Sequence, residues 1–120
     1  MLNLDTHILL YALTDELKPG ERAALAGDTW SISTIVLWEL AMLAGRGRIQ
    51  FDLDQAQFST LLSRIQVWPL DLAICRKLKE LDFSSDPADE IIAATSLVHH
   101  LPLMTRDRKI RRSRLLQFAG

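Results

Sequence analysis

The chain contains a single cysteine, Cys75, among its 120 residues, so no intrachain disulfide can form. It also lacks a long apolar run, because the longest apolar helix candidate, residues 34–45, is too short to cross a bilayer and contains Glu39. No basic region precedes the first apolar stretch, as it does in a secretory signal peptide. We therefore expect a cytoplasmic protein with no membrane partner.

Familiar catalytic motifs are absent as well. The sequence has no Gly-x-Ser-x-Gly of a serine hydrolase, no Walker loop and no Gly-x-Gly-x-x-Gly dinucleotide fingerprint. Its histidines and its one cysteine do not cluster at the spacing of zinc ligands. Carboxylates are therefore the remaining candidates for chemistry.

The composition is that of one ordinary globular domain. Apolar residues make up 48% and charged residues 24% of the chain, which has no repeat, linker or low-complexity tract. Strands are predicted at residues 1–5, 30–32, 67–70 and 102–105, with a fifth near 115–118, and helices at 6–14, 21–27, 34–45, 54–65, 71–81 and 87–99. This alternation predicts a single domain, residues 1–120, folded as a three-layer α/β/α sandwich around a mostly parallel sheet of four to five strands.

Two aspartates follow predicted strands. Asp5 ends the first strand, and Asp107 lies two residues beyond the fourth. In open parallel sheets, ligands bind in the crevice outside the carboxyl ends of the strands, so both side chains are candidates for a site there. Taken singly, each aspartate has the alternative role of a turn or helix-capping residue.

Glu39 is the only charged residue in the helix predicted at 34–45. A helix that is apolar all round is expected to be buried. An unpaired carboxylate in such a helix costs several kcal/mol, so Glu39 needs a cation or a proton. A metal ion and a salt bridge to a nearby arginine both meet that need.

Asp89 lies in the first turn of the helix that Asp86, as the N-cap, and Pro87 open. A small and largely apolar helix face continues from Asp89, so its carboxylate can point inward at the end of the sheet. The alternative is that Asp89, like Asp86 and Glu90, only interacts favourably with the helix dipole.

Four carboxylates in one crevice repel each other unless a divalent cation fills it or some of them stay protonated. An all-oxygen site favours Mg²⁺ or Mn²⁺ over zinc. Phosphodiester hydrolysis needs a positioned water, neutralised phosphate oxygens and a stabilised leaving alkoxide, and metal ions held by carboxylates supply all three. The four acids therefore suit metal-dependent phosphodiester hydrolysis.

Positive charge is concentrated near the C-terminus. Six of the fourteen basic residues, but only one of the fifteen acids, lie between residues 106 and 114. A basic segment on an acidic body favours a polyanionic partner, although a solvated helix face is the alternative. The candidates for phosphate contacts to such a partner are Arg106, Arg108, Lys109, Arg111, Arg112 and Arg114.

Three stretches of the sequence together resemble a known family. DPADEIIAATSLVHHLPLMTRDRKI, residues 86–110, is similar to the C-terminal signature of PIN-domain proteins, especially the VapC-type toxins of bacterial toxin–antitoxin pairs. LDTHILLYAL at 4–13 resembles that family's opening strand and helix, and SISTIVLWELAMLAGRGRI at 31–49 resembles its second acidic motif. The resemblance covers nearly the whole chain in the family's order and spacing.

The resemblance implies specific residues, cofactors and partners. It places the family's four catalytic and metal-binding acids at Asp5, Glu39, Asp89 and Asp107, with Thr6 and Thr105 as small hydroxyl residues beside them. Glu90 departs from the pattern, since an arginine often follows the third acid. The family implies Mg²⁺ or Mn²⁺, endonucleolytic cleavage of RNA, a homodimer and a small antitoxin partner.

Two other functions are the alternatives. A phospho-receiver domain has a similar length and sheet, with Asp52 or Asp54 as the acceptor. Receivers are expected to have paired acids near the first strand and a lysine after the last strand, whereas Asp5 stands alone and Lys109 precedes the predicted fifth strand. The second alternative is a PIN scaffold that only binds a partner, and the intact set of four acids argues against it.

Overall fold

A parallel sheet of four strands forms the centre of the protein. The structure is a computed structural model that describes residues 1–120. Its strands are Leu2–Leu4 (β1), Trp30–Ser33 (β2), Gln66–Trp68 (β3) and Leu103–Met104 (β4). They lie in the order β3-β2-β1-β4, and every pairing is parallel. Because parallel neighbours need crossover connections, helices flank the sheet, and the predicted sandwich is confirmed.

Six helices lie close to their predicted ranges, and a seventh, the short helix Arg108–Arg111, was not predicted. They are Thr6–Thr14 (α1), Pro19–Ala26 (α2), Thr34–Gly45 (α3), Ala56–Leu62 (α4), Leu72–Lys77 (α5), Pro87–His99 (α6) and Arg108–Arg111 (α7), with a 3₁₀ turn at Leu78–Glu80. Pro19 opens α2 at its first helical position, where a missing N–H is tolerated, so this helix starts earlier than predicted. His100, with φ of 55°, ends α6 in the left-handed conformation. No helix has the length and hydropathy needed to cross a bilayer.

The order of the strands creates the crevice in which the site lies. The chain builds β1, β2 and β3 outward in one direction and then returns to place β4 on the other side of β1. Such a switch point opens a crevice at the carboxyl ends of the two strands that flank it. Leu4 of β1 and Met104 of β4 are paired and buried, so the two strands that flank the switch point are joined in the core.

The predicted fifth strand is reduced to one bridge, between Leu103 and Phe118. The chain before it is held elsewhere, because the carboxylate of Asp82 accepts hydrogen bonds from the hydroxyl of Ser113 at 2.6 Å and the backbone N–H of Arg114 at 2.8 Å. β4 itself has only two residues, and Leu103 makes the backbone hydrogen bonds of the bridge, to Gln117 at 2.8 Å and from Ala119 at 3.1 Å.

The expectation that α3 is buried on all sides is wrong. Only Val36 and Leu40 of this helix are fully covered, whereas Trp38 is 56% exposed. Ala41 and Gly45 lie on the same exposed face as Trp38. The inner face of α3 packs against α1, α6 and β2, whereas the outer face is exposed although it is equally apolar.

Candidate active site

An acidic cleft of about 330 Å³ lies at the switch point between β1 and β4. All four acids predicted from the sequence line this cleft, and so does a fifth: Asp5, Glu39, Asp86, Asp89 and Asp107. They come from the ends of β1 and β4, the middle of α3 and the start of α6. Residues separated by up to a hundred positions therefore converge because the topology brings these elements to one edge of the sheet.

Asp5 is the most deeply placed of these acids. It holds the N-cap position of α1, but its side chain makes no capping hydrogen bond. Instead its Oδ2 accepts a 2.6 Å hydrogen bond from the hydroxyl of Thr105. Burial raises the pKa of Asp5 above its ordinary value, and the bond from Thr105 opposes that rise. Helix capping therefore does not explain this carboxylate.

Glu39 is held by the other predicted hydroxyl residue. The side chain of Thr6 donates a hydrogen bond to Oε1 of Glu39. Glu39 takes part in no ion pair, so the arginine salt bridge considered from the sequence is not formed. Half-buried and without a cation from the protein, this carboxylate retains its capacity for a positively charged ligand.

The pKa of Asp89 depends on the other acids of the cleft. Its Oδ2 accepts a 2.7 Å hydrogen bond from the hydroxyl of Ser85. Nevertheless its pKa is raised to about 6, mainly by burial and further by the negative charges of Asp5, Glu39 and Asp107. The four carboxylates are thus close enough to repel one another when no cation lies between them.

Asp107 has two roles. Its Oδ1 caps α7 by accepting hydrogen bonds from the backbone N–H of Lys109 at 2.8 Å and of Ile110 at 3.1 Å. The capping interpretation is therefore correct for one oxygen. The other oxygen, Oδ2, has no protein donor and remains open to a ligand in the cleft.

Two acids near the start of α6 differ from the sequence interpretation. Asp86 is the N-cap as predicted, but its side chain makes no capping bond and lines the cleft. Its position one helical turn before Asp89 was the signal for this placement. Glu90 does not line the cleft, because its Oε2 accepts a 2.9 Å hydrogen bond from the backbone N–H of Ser85.

His7, Ile8 and Tyr11 also line the cleft and were not predicted as site residues, whereas Arg106 was a candidate for phosphate contact. His7 is exposed beside the acids, and its ring lies 6.1 Å from that of Tyr11, centroid to centroid. Tyr11 in turn carries the guanidinium of Arg106 over its ring at 4.1 Å. The i, i+4 spacing of His7 and Tyr11, in the helix that follows Asp5, was the available sequence signal.

The basic segment does not form one continuous surface. Arg106 makes two hydrogen bonds to the buried Glu21, from Nε at 2.8 Å and Nη2 at 2.7 Å, and these hold the pKa of Glu21 at about 2. Arg111 donates from Nη1 to the carbonyl oxygen of Thr105 at 3.0 Å. The exposed Arg108 makes no side-chain hydrogen bond or ion pair, and neither do Lys109, Arg112 and Arg114.

The donor set of the cleft fits a hard divalent cation. No three carboxylate, imidazole or thiol groups surround one point at metal-ligand distance, so the protein alone does not complete a coordination sphere. Mg²⁺ suits such a site, because it keeps several waters and binds through one or two carboxylates. Arg106, the one Lys or Arg residue in the lining, is already paired with Glu21 and does not neutralise the acids.

The phospho-receiver alternative finds no support in this geometry. Asp52 and Asp54 are exposed in the loop between α3 and α4, and neither lines the cleft. Oδ1 of Asp52 accepts a 2.9 Å hydrogen bond from the backbone N–H of Asp54, which is ordinary turn chemistry.

The chain belongs to the PIN-domain family. The PIN domain model matches residues 3–114, which is nearly the whole chain and includes all five acids of the cleft. A relative among curated proteins is ribonuclease VapC22 of Mycobacterium tuberculosis (strain H37Rv), which is 29% identical over 118 residues covering 92% of this chain and 90% of that protein.

Solved structures support the same fold. FitAcB from Neisseria gonorrhoeae has a TM-score of 0.73 at 21% identity and covers 100% of this chain and 97% of that chain. VapBC2 from Rickettsia felis, bound to a DNA fragment from its promoter, has a TM-score of 0.70 at 21% identity and covers 98% and 97% of the two chains. At these identities the likeness shows the fold alone.

Proposed function

We propose that the chain is an Mg²⁺- or Mn²⁺-dependent endoribonuclease that acts in the cytoplasm as the toxin of a toxin–antitoxin pair. The observation that carries the proposal is the convergence of acids from four elements at the switch point of a PIN domain. Carboxylates that converge in this way favour a divalent cation, and the pKa of Asp89, raised by burial and by the neighbouring negative charges, agrees with that. The relative named ribonuclease VapC22 supports RNA as the substrate.

The side chains have separable roles in this proposal. Metal ions in the cleft would activate water and neutralise the phosphate and the leaving oxygen. Asp5, Glu39, Asp89 and Asp107 would hold the metal, with Asp86 at the rim. The hydroxyls of Thr105 and Thr6 orient Asp5 and Glu39, so each carboxylate presents a defined oxygen to the cleft.

The experiment is cleavage of a structured RNA by purified protein. We expect cleavage with Mn²⁺ or Mg²⁺, none when EDTA replaces the metal, and recovery when the metal is added back. Sequencing of the RNA ends after brief expression identifies the target. A folded protein that binds RNA or an antitoxin but does not cleave with either metal contradicts the proposal and favours a catalytically silent PIN module.

Partner proteins are part of the same proposal. Among the structures with a similar fold, VapBC2 is described as bound to a DNA fragment from its promoter. A structure from Klebsiella pneumoniae, with a TM-score of 0.70, is described as a toxin–antitoxin complex. The exposed face of α3, with Trp38 56% exposed, supports a homodimer. Light scattering of wild type and Trp38→Glu measures it: we expect a dimer that the substitution weakens.

The acidic cleft also suits inhibition by an antitoxin. An arginine matches a pair of carboxylates with its planar fork, and no cation of this chain neutralises the cleft acids. We expect an antitoxin segment to insert an arginine there. An antitoxin segment without arginine or lysine that inhibits equally well contradicts this mode of inhibition.

A further inference from the structure

A second cleft, of about 400 Å³, lies on the other side of Arg106 from the acidic cleft. Four cationic side chains line it, Lys18, Arg106, Arg108 and Arg111, and the only acidic side chain among them is Glu21. We name this cleft the basic pocket. Lys18 comes from the loop before α2 and the arginines come from the segment after β4, so the pocket exists only in the folded chain.

Acidic side chains neutralise only one of the four cations in the basic pocket. Glu21 is paired with Arg106, whereas Lys18, Arg108 and Arg111 take part in no ion pair. Three unpaired cations around one concave site repel each other and favour an anion. The pocket is therefore electrostatically complementary to a phosphate group.

Arg111 is held in position for such an anion. Its Nη1 donates to the carbonyl oxygen of Thr105 at 3.0 Å, and its guanidinium lies over the ring of Phe118, 5.1 Å from the centroid. A guanidinium fixed in this way loses less conformational freedom on binding, and its remaining N–H groups suit the oxygens of a phosphate.

The basic pocket and the acidic cleft share one wall. Arg106 lines both clefts. Thr105 lines the basic pocket, and its hydroxyl donates a hydrogen bond to Asp5 of the acidic cleft. An anion in the basic pocket thus lies beside the candidate active site. A nucleic-acid strand offers this arrangement, because it presents one phosphate to the metal site and a neighbouring phosphate next to it.

We propose that the basic pocket binds a phosphate of the RNA strand that flanks the scissile phosphate, through Lys18, Arg108 and Arg111. This inference rests on the proposed function for the identity of the strand. It divides the basic segment: Arg108 and Arg111 contact the substrate, whereas Lys109 and Arg112 lie outside the pocket.

The test uses two double variants of equal charge. Lys18→Gln with Arg108→Gln removes two cations from the basic pocket, and Lys109→Gln with Arg112→Gln removes one lysine and one arginine that are exposed outside it. Binding of a single-stranded oligoribonucleotide is measured by fluorescence anisotropy across a salt series, in EDTA so that no cleavage occurs. Thermal melts establish that both variants are folded.

We expect the Lys18→Gln, Arg108→Gln protein, the pocket variant, to bind RNA at least about tenfold more weakly than wild type. A loss of that size is typical when a hydrogen bond to a charged group is no longer formed. Its salt dependence should fall by about 0.7 log unit for each phosphate that the variant no longer neutralises. The control variant should be clearly less affected on both measures. Equal effects in the two variants overturn the pocket and leave only diffuse attraction. Unchanged RNA binding by the pocket variant also overturns it.

The position of the phosphate is tested with oligonucleotides that carry one neutral methylphosphonate linkage each. In wild type, neutralising a linkage next to the mapped cleavage site should weaken binding, and in the pocket variant, which retains only Arg111 of the three proposed contacts, the same linkage should weaken binding clearly less. An equal penalty in both proteins overturns the assignment. Because the comparison of the two double variants records binding alone, absence of metal-dependent cleavage by wild type contradicts the proposed function without deciding that comparison.

Discussion

The hydroxyl of Thr105 donates a 2.6 Å hydrogen bond to Oδ2 of Asp5, across 100 positions of the sequence. The bond spans the switch point of the sheet, because Asp5 follows β1 and Thr105 follows β4. It links the wall of the acidic cleft to that of the basic pocket. Substitutions in this linked region should therefore affect metal binding, RNA cleavage and stability in distinguishable ways.

Replacing Asp5 or Asp107 with asparagine should abolish RNA cleavage, because each change removes a charged metal ligand while preserving shape. We expect rate losses beyond the roughly 10–100-fold typical of outer-shell changes. Single-turnover cleavage with Mn²⁺ measures this effect. Asp54→Asn, an exposed acid outside the cleft, is the matched control and should cleave normally. Near-normal cleavage by Asp5→Asn would refute the assignment of the site.

Thr105→Val removes the hydrogen bond to Asp5 with little change of volume. We expect metal affinity and cleavage to fall by about 10–100-fold, because the carboxylate loses its orienting partner. Thr105→Ser keeps the hydroxyl and should retain most activity. Mn²⁺ titration followed by thermal shift measures affinity independently of cleavage. Equal affinity in the valine and serine variants would show that the hydroxyl does not position Asp5.

Asp89 makes the stability of the metal-free protein depend on pH. Because folding raises its pKa from 3.8 to about 6, the folded state holds the proton more tightly than the unfolded chain. This contribution is complete below pH 3.8 and is lost as pH rises through 6. The metal-free protein should therefore melt higher at pH 5 than at pH 7, and Asp89→Asn should flatten that difference.

At pH 7 the Asp89→Asn protein should be as stable as metal-free wild type or more stable, by up to about 2 kcal/mol. Wild type should gain about 2.7 kcal/mol when Mn²⁺ is at roughly 100 times its dissociation constant, and the variant less. Thermal melts with and without Mn²⁺ measure both effects. A metal-free variant that melts well below wild type would mark Asp89 as a structural residue of the first turn of α6.

We expect the Glu21–Arg106 ion pair to stabilise the folded protein by an amount that depends on pH. Glu21→Gln leaves a partly buried arginine without its partner, so we expect a loss of about 2–3 kcal/mol at pH 7. Folding lowers the pKa of Glu21 from 4.5 to about 2, so its contribution is present above pH 4.5 and lost as pH falls through 2. The gap between variant and wild type should narrow as pH falls from 5 to 3.

Urea unfolding at each pH measures that gap. Glu80→Gln breaks the exposed pair with Lys77 and serves as control, with an expected loss below about 0.5 kcal/mol. A gap for Glu21→Gln that stays constant with pH would show that the ion pair is not its cause.

The sequence by itself determined the order of the elements and the four predicted acids of the cleft. Apolar runs of strand and helix length alternate, and this alternation selects a parallel sheet whatever the details of packing. Asp5 and Asp107 follow strands, and the carboxyl ends of parallel strands meet at one edge. Glu39 was informative because a lone charge on an apolar helix needs a compensating partner.

Only the tertiary structure decided which charges are free and which faces are covered. The ion pair of Arg106 with Glu21 and the placement of Lys18 beside Arg108 join residues that are far apart in sequence, so no local pattern reports them. The apolar pattern of α3 is the same for a face packed on this core and for the open face at Trp38. Periodicity records the hydrophobicity of a face, whereas exposure depends on which elements pack against it.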